Sequence, residues 1–243
     1  MRFFSLTIAA LSAVAASACA SSDAAREAGD PFEPANRAVF QFNETVDDAL
    51  IEPASKAYTA VTPEPARQGV RNFFGNLNRP VFFANEVLQG DLVAAGDVLT
   101  SFAFDTVFGI GGIFALAERA GVPQHSEDFG QTLAVWGVAE GPFLMLPVLG
   151  PSNLRDGTGR FVDRYPHPLN WDEEFSSSGE AWALRGLNGI DQRARAQSVM
   201  DQLDRTAIDP YVQLRSAYRQ MREREIRDGA PSEEDFDDLP DFD

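Results

Sequence analysis

The chain has 243 residues, 20 basic against 37 acidic side chains, a formal charge of −17 and a single cysteine. This balance excludes nucleic-acid binding through phosphates, which takes clustered Lys and Arg, and it excludes electrostatic attraction to anionic lipid as the main membrane attachment. The length suffices for one sizeable domain with its own core, and 19 phenylalanines against 4 tyrosines and 3 tryptophans suit either such a core or greasy contact surfaces.

At the N-terminus, Arg2 precedes an uncharged, mostly apolar stretch from Phe3 to Ala18 that closes on Ala16-Ser17-Ala18. A basic start, an apolar run of this length and small residues at the cut make a secretory signal, so residues 1–18 are expected to be removed. Cys19 follows directly, and a lone thiol in an oxidising compartment has no disulfide partner. Ala16-Ser17-Ala18-Cys19 resembles the bacterial lipobox, with alanine where leucine usually opens it. The resemblance implies a covalent diacylglycerol and an N-acyl chain on Cys19 as the lipid anchor, and no other cofactor is expected. Residues 19–30 read as a lipidated, flexible tether.

From Asp30-Pro31-Phe32-Glu33-Pro34 onward the chain reads as folded. Val39, Phe42, Val46 and Ala49 are spaced as one helix face, which Pro53 ends or kinks. Residues 64–77 suit a second helix with Pro65 in its first turn. Pro80 is expected to start a third, closed by Gly90, and Asp91 to cap a fourth containing Leu92, Val93, Val98, Leu99 and Phe102. Thr106 to Ala117 and Gly141 to Leu154 carry no charge and are broken by Gly or Pro. Neither reaches the ~18–20 apolar residues needed to span a bilayer. Core burial is the default for such runs; an interfacial or re-entrant position is the alternative, made credible by the lipid anchor.

After Trp171, Leu184, Leu187, Ile190, Met200 and Leu203 fit one helical stripe, and beyond Pro210, Tyr211, Leu214, Tyr218 and Met221 fit another. Residues 228–243 hold eight acids and no bases and are expected to form a disordered tail. No sheet is expected; the alternation Ser101-Phe102-Ala103-Phe104-Asp105 is the one strand-like hint. The predicted fold class is all-α, with the folded domain over 31–227.

Catalytic and metal signatures are missing. His125 and His167 lie in turn-like stretches, without a second ligand at metal spacing. No Gly-x-Ser-x-Gly elbow exists. Gly109-Ile110-Gly111-Gly112-Ile113-Phe114 lacks the third glycine of a dinucleotide loop. Glu127-Asp128 and Glu173-Glu174 read as solvated helix starts. No enzymatic activity is expected.

One arrangement is far more specific. Glu127-Asp128-Phe129-Gly130-Gln131-Thr132-Leu133, Trp136-Gly137-Val138, Gly141-Pro142-Phe143 and Leu146-Pro147-Val148-Leu149-Gly150-Pro151-Ser152-Asn153-Leu154-Arg155-Asp156 follow one another. Upstream stand Asp30 to Arg37, Phe40, Phe42-Asn43, Asp47, Asn72-Phe73, Asn76-Leu77, Pro80, Asn85, Leu88-Gln89-Gly90 and Gly109 to Gly112. Over residues 30–171 this resembles the VacJ/MlaA family of outer-membrane phospholipid-trafficking lipoproteins. Ser101, Asp105 and Ala115 depart from it, standing where the family usually has arginine, asparagine and aspartate.

The resemblance implies a ring-like helical domain in the periplasmic leaflet of the outer membrane, surrounding an amphipathic channel. Through it, phospholipids misplaced in the outer leaflet reach a soluble periplasmic carrier and return to the inner membrane. It also implies association with a porin trimer. The absence of aspartate after Cys19 agrees with outer-membrane sorting. Residues 98–117 and 141–150 are the expected membrane-facing parts, with Phe102, Val107, Ile110, Phe114, Phe143, Leu144 and Leu146 contacting acyl chains. For each of these, burial in the core is the alternative. Phe42 and Asn43 are the gating candidates, Asn43 pairing with backbone that closes the channel or merely capping local structure. The acidic tail is expected to attract the carrier. A porin scaffold and a phospholipid-modifying envelope enzyme remain as rival readings.

Overall fold

A computed structural model describes residues 29–227. Helix α1, Glu33–Val46, opens with Pro34 in its first turn, where a missing N–H costs little. At Asp47–Ile51 it widens into one π turn, with the Glu52 N–H bonded to the Asp47 carbonyl, and continues as α2, Glu52–Val61. Pro53 therefore neither ends the helix nor stands alone as a kink: the wider turn just before it absorbs the break in the ladder.

Helix α3, Glu64–Gln89, ends on Gly90 in a left-handed conformation at φ 90°. It corrects the expectation of two helices, because Pro80 lies inside it. An interior proline forfeits one backbone bond at ~3 kcal/mol, and packing along α4, Leu92–Val107, and other helices offsets the loss. Asp91 caps α4 as expected, accepting from the Val93 and Ala94 N–H groups at 3.0 and 2.8 Å. The strand-like hint at 101–105 is helical; its two buried residues, Ser101 and Asp105, are four apart, one helical turn.

Short helices α5, Leu116–Arg119, and α6, Phe129–Val135, lead to an antiparallel hairpin of β1, Phe143–Leu146, and β2, Gly150–Asn153, with Phe143 opposite Asn153 and Leu146 opposite Gly150. This hairpin was not expected, since an uncharged run with apolar residues on both faces shows no period-2 alternation. Asn153 ends β2 and caps α7, Leu154–Val162. Then come α8, Glu173–Ser176, α9, Gly179–Thr206, and α10, Pro210–Ile226, separated where Pro210 was expected to break the helix. Among the described residues the fold is thus helical apart from one hairpin, and no helix is long and apolar enough to cross a membrane.

The hairpin is held between α1 and α10. Phe143, Met145, Tyr211 and Tyr218 form its core, joined by Val39, Phe40 and Leu214. Two asparagines two helical turns apart on α1 satisfy the outer edge of β1. Asn36 accepts from the Met145 N–H (2.9 Å) and donates to the Phe143 carbonyl (3.0 Å); Asn43 accepts from the Val148 N–H (2.7 Å) and donates to the Leu146 carbonyl (3.0 Å). A sheet edge left open would be a pairing template; here α1 acts as the missing neighbour. Its inward face is consequently mixed, Asn36, Val39, Phe40 and Asn43, while Phe42 and Ala49 of the expected apolar stripe are exposed.

The expected tether ends earlier than residue 30. Asp30 is fully buried, accepting from Asn36 Nδ2 (2.8 Å), Arg215 Nη1 (2.7 Å) and the Tyr211 hydroxyl, and the Gly29 carbonyl accepts from the Phe143 N–H. Burial, with Asp30 beside it, pushes the Tyr211 hydroxyl well above the ordinary tyrosine range. Residues 1–28, with the expected signal and Cys19, and the acidic tail 228–243 lie outside the described residues.

Candidate functional site

The segment from α4 to α5 presents apolar side chains outward and backbone polarity inward. Val107, Ile110 and Phe114 are 69 %, 66 % and 46 % exposed, and Phe104, Phe108 and Ile113 join them. Between Val107 and Leu116 the chain is not helical, so its N–H and C=O groups need other partners. Three α3 residues spaced three to four apart serve its underside. Asn72 donates to the Ile113 carbonyl (2.9 Å), and Asn76 to Thr106 Oγ1 (2.9 Å) and the Gly111 carbonyl (3.4 Å). Arg79 donates to the Ser101 carbonyl and Asp105 Oδ2, both at 2.7 Å.

Asp105, buried at the end of α4, also accepts from the Leu116 and Ala117 N–H groups at 2.7 and 2.8 Å. It therefore caps α5 across the loop. Ala115 occupies the cap position of α5 and offers no side-chain acceptor, and the Asp105 carboxylate supplies one from the end of α4. Gly109 and Gly112 permit the close approach. A Cβ on Gly109 would fall 2.3 Å from the Phe114 carbonyl oxygen, and one on Gly112, at φ 93°, would fall 2.3 Å from Asn76 Cβ.

Ile110 at φ 54° and Val148 at φ 66°, the hairpin turn, are β-branched residues in left-handed backbone. Such strain costs ~1–3 kcal/mol and glycine would relieve it. Both side chains nevertheless point outward and are largely exposed. Both turns thus hold a β-branched apolar side chain at the surface in a conformation that glycine would adopt without strain.

The other expected contact residues divide. Phe102, Leu144 and Leu146 are half-buried. Phe143 is a correction: fully enclosed, its ring lies 6.1 Å from those of both Tyr211 and Tyr218, so it holds the hairpin and cannot touch lipid in this arrangement. Period-2 logic would have separated it from its neighbours once a hairpin was recognised. Of the gating candidates, Phe42 is half exposed and Asn43 pins the hairpin turn at Leu146 and Val148.

The profile of the MlaA lipoprotein family matches residues 28–225. This chain belongs to that family. It is 36 % identical to the intermembrane phospholipid transport system lipoprotein MlaA of Escherichia coli K12 over 211 residues, 84 % of this chain and 82 % of that one. With the MlaA of Haemophilus influenzae it shares 33 % identity over 94 % of this chain and 93 % of that one. A solved structure described as the structural basis for maintenance of bacterial outer membrane lipid asymmetry superposes with a TM-score of 0.70 at 33 % identity, covering 81 % of this chain and 98 % of that chain.

The most specific MlaA-like motif, 127–156, proves to be architectural. Asp128 caps α6 and pairs with Arg222 of α10 at 2.5 and 2.6 Å. Asp156 accepts from Arg222 Nε (2.9 Å), Arg155 Nε (3.0 Å) and the Tyr218 hydroxyl (2.6 Å). Burial alone would raise the Asp156 carboxyl, but the Tyr218 hydrogen bond and the Arg222 charge together hold it below the usual carboxylate range. Gly130 and Gly159 let α6 and α7 touch: a Cβ on Gly159 would fall 2.4 Å from the Gly130 nitrogen.

Sequence reasoning missed this junction because Arg222, which joins Asp128 to Asp156, lies on α10, beyond the motifs over 30–171. The histidines stay in loops. His125 Nε2 is 3.4 Å from Asp97, and His167 Nδ1 accepts from the Leu169 N–H. Burial, then the Arg185 charge, push His167 below the ordinary imidazole value. Among the described residues no group of three or more potential metal ligands converges.

Proposed function

We propose that this protein is an outer-membrane lipoprotein, anchored by acylated Cys19, that removes phospholipids misplaced in the outer leaflet. It passes them through an amphipathic passage to a soluble periplasmic carrier for return to the inner membrane, in association with a porin trimer. One observation carries the reading: an exposed apolar turn, 106–115, whose Gly111, Gly112 and Phe114 N–H groups bond the Thr106, Asp105 and Gly109 carbonyls and whose Ile113 and Gly111 carbonyls are met from beneath by Asn72 and Asn76. Non-helical backbone at membrane depth is tolerated only where protein or water satisfies it. A turn built in this way can enter one leaflet without a spanning helix.

The chemistry involves no bond change. A phospholipid crossing between leaflets must carry its headgroup through hydrocarbon, where an unpaired charge or dipole is expensive. A polar lining lowers that barrier while apolar residues such as Val107, Ile110 and Phe114 meet the acyl chains. The names of the E. coli and H. influenzae relatives, which specify intermembrane phospholipid transport, support this direction of reading.

The test is surface-exposed phospholipid in cells lacking the gene, with rescue by the parent chain and by Cys19→Ala. A rise on deletion, reversed by the parent and not by Cys19→Ala, is expected. Unchanged surface phospholipid with intact porin binding would refute the proposal and favour a scaffold. Photo-crosslinking to a lipid analogue should succeed from positions 107, 110 and 114 and fail from 143.

A further inference from the structure

Nineteen of the 20 basic residues are arginine, and bases are scarce in this acidic chain. Three of them nevertheless converge. The first two turns of α3 and the middle of α9 enclose a cavity of about 330 Å³ lined by Glu64, Arg67, Arg71, Asp191, Ala194 and Arg195. This lies within the ~300–1,000 Å³ range of small-ligand clefts.

Its two carboxylates differ. Asp191 is buried and belongs to the wall: Oδ1 accepts from the Tyr58 hydroxyl (3.1 Å), and Oδ2 lies 3.1 Å from Arg195 Nε as an ion pair without a hydrogen bond. Glu64 is 61 % exposed at the mouth and bridges two guanidiniums, Arg67 Nη2 at 2.5 Å and Arg71 Nη2. The hydrogen bond from Arg71, with the neighbouring arginine charges, keeps its carboxyl below the usual range. Arg67 Nε is buried without a hydrogen-bond partner, a donor that the internal contacts leave unused.

Glu64 thus occupies the position of an anion between two planar forks. Guanidinium geometry matches the oxygens of carboxylate and phosphate bidentately. An exposed pair contributes only ~0–1 kcal/mol, so the glutamate can rotate away cheaply. A phosphoryl group presents more acceptor oxygens than the carboxylate it would displace.

Gly69 and Asn72, interleaved with Arg67 and Arg71 on α3, carry the apolar turn: a Cβ on Gly69 would fall 3.1 Å from Ile113 Cγ2, and Asn72 holds the Ile113 carbonyl. At about 3.6 residues per turn, Gly69 and Asn72 lie on a different face of α3 from Arg67 and Arg71, so one helix carries the turn on one side and lines the cavity on another. We propose that the Arg67–Arg71–Arg195 cavity binds a phosphate oxyanion, with Glu64 as the internal anion that a phosphoryl ligand displaces. Its assignment to a phospholipid headgroup rests on the transport reading.

The full lipidated chain in phosphate-free maltoside micelles is titrated calorimetrically with inorganic phosphate, glycerol 3-phosphate and dihexanoyl phosphatidylglycerol below its micellar concentration. Glu64→Gln is expected to tighten binding about threefold or more by removing the competing charge, and Arg67→Gln with Arg71→Gln to weaken it roughly tenfold. Thermal melting checks that the arginine variants fold. A lipid affinity about tenfold above that of glycerol 3-phosphate assigns the site to headgroups, since acyl carbons then add burial; equal affinities assign it to free phosphate.

No saturable binding of any probe, or a Glu64→Gln variant that binds no tighter than the parent, overturns the proposal. Loss of binding in the double arginine variant with normal lipid asymmetry in cells overturns the headgroup assignment and leaves the transport reading standing. Saturable binding by a protein whose deletion does not alter surface phospholipid overturns the transport reading, and the headgroup assignment with it, and leaves the phosphate site standing.

Discussion

Asp105→Ala is the sharpest probe of how the apolar turn keeps its shape. The carboxylate is 1 % exposed, caps α5 through two backbone N–H groups and pairs with Arg79, whose side chain is 11 % exposed. Removing one partner of a buried pair costs ~3–5 kcal/mol, mostly because a charge is left uncompensated. Arg79 retains Asn76 Oδ1, the Ser101 carbonyl and Gln124 Oε1 as acceptors, which favours the lower end of that range. Losing a cap adds ~1 kcal/mol. A four-residue helix has no stability of its own, so α5 and the turn before it should fray together.

The expected total is ~4 kcal/mol by urea denaturation of the full chain in micelles. Amide exchange at Leu116 and Ala117 should accelerate with it. Asp105→Asn keeps an acceptor oxygen, and should preserve protection at those two amides while still losing the ion pair. Arg79→Met combined with Asp105→Ala removes the orphaned charge, so the double variant should be more stable than the sum of the single losses predicts, with a coupling of ~2 kcal/mol or more. A loss under ~1 kcal/mol for Asp105→Ala, or no coupling in the cycle, would refute the reasoning.

Other consequences follow from the same contacts. Asn43→Ala should speed exchange of the Val148 amide by removing its 2.7 Å acceptor, while leaving exchange within α3 unchanged. Phe143→Ala should cost ~3–5 kcal/mol in denaturation, as expected for an enclosed aromatic, and Leu149→Ala, largely exposed, should stay within ~0.5 kcal/mol. Ile110→Gly relieves left-handed strain and should raise stability in micelles by ~1 kcal/mol while reducing lipid crosslinking from neighbouring positions.

Burial raises the Asp163 carboxyl, against the opposing hydrogen bonds from Asn85 and the Phe129 N–H. Its folded form holds its proton more tightly than the unfolded chain, so this group's contribution is present below the unfolded value near 3.8 and is lost as pH rises through the higher folded value. Asp163→Asn should therefore flatten the fall in stability above pH ~4, as followed by urea midpoints across pH.

The helix boundaries show which local features were legible. Gly90, Asp91 and Pro210 were read correctly because each acts through its own backbone or its immediate neighbours. Pro80 was misread because the local penalty of a proline is outweighed by packing along both flanks of α3, which no local window contains. The hairpin was missed for a related reason: Phe143 and Met145 turn inward because Tyr211 and Tyr218 wait there, some seventy residues along the chain. Of the candidate contact set, Val107, Ile110 and Phe114 are exposed and Phe143 is enclosed, a division that hydropathy does not show because it measures greasiness and not direction.

The sequence by itself determined the helical character and the location of two uncharged, broken segments, which composition and short-range pattern carry, and its motifs carried the resemblance to the family. Only the tertiary structure decided that Asp105 performs the capping that Ala115 cannot, that Asn36 and Asn43 close a sheet edge from a helix, and that three arginines share one cavity. Each depends on side chains far apart in sequence meeting at hydrogen-bond distance. Their partners are fixed by the three-dimensional path of the backbone, which spacing along the chain does not encode.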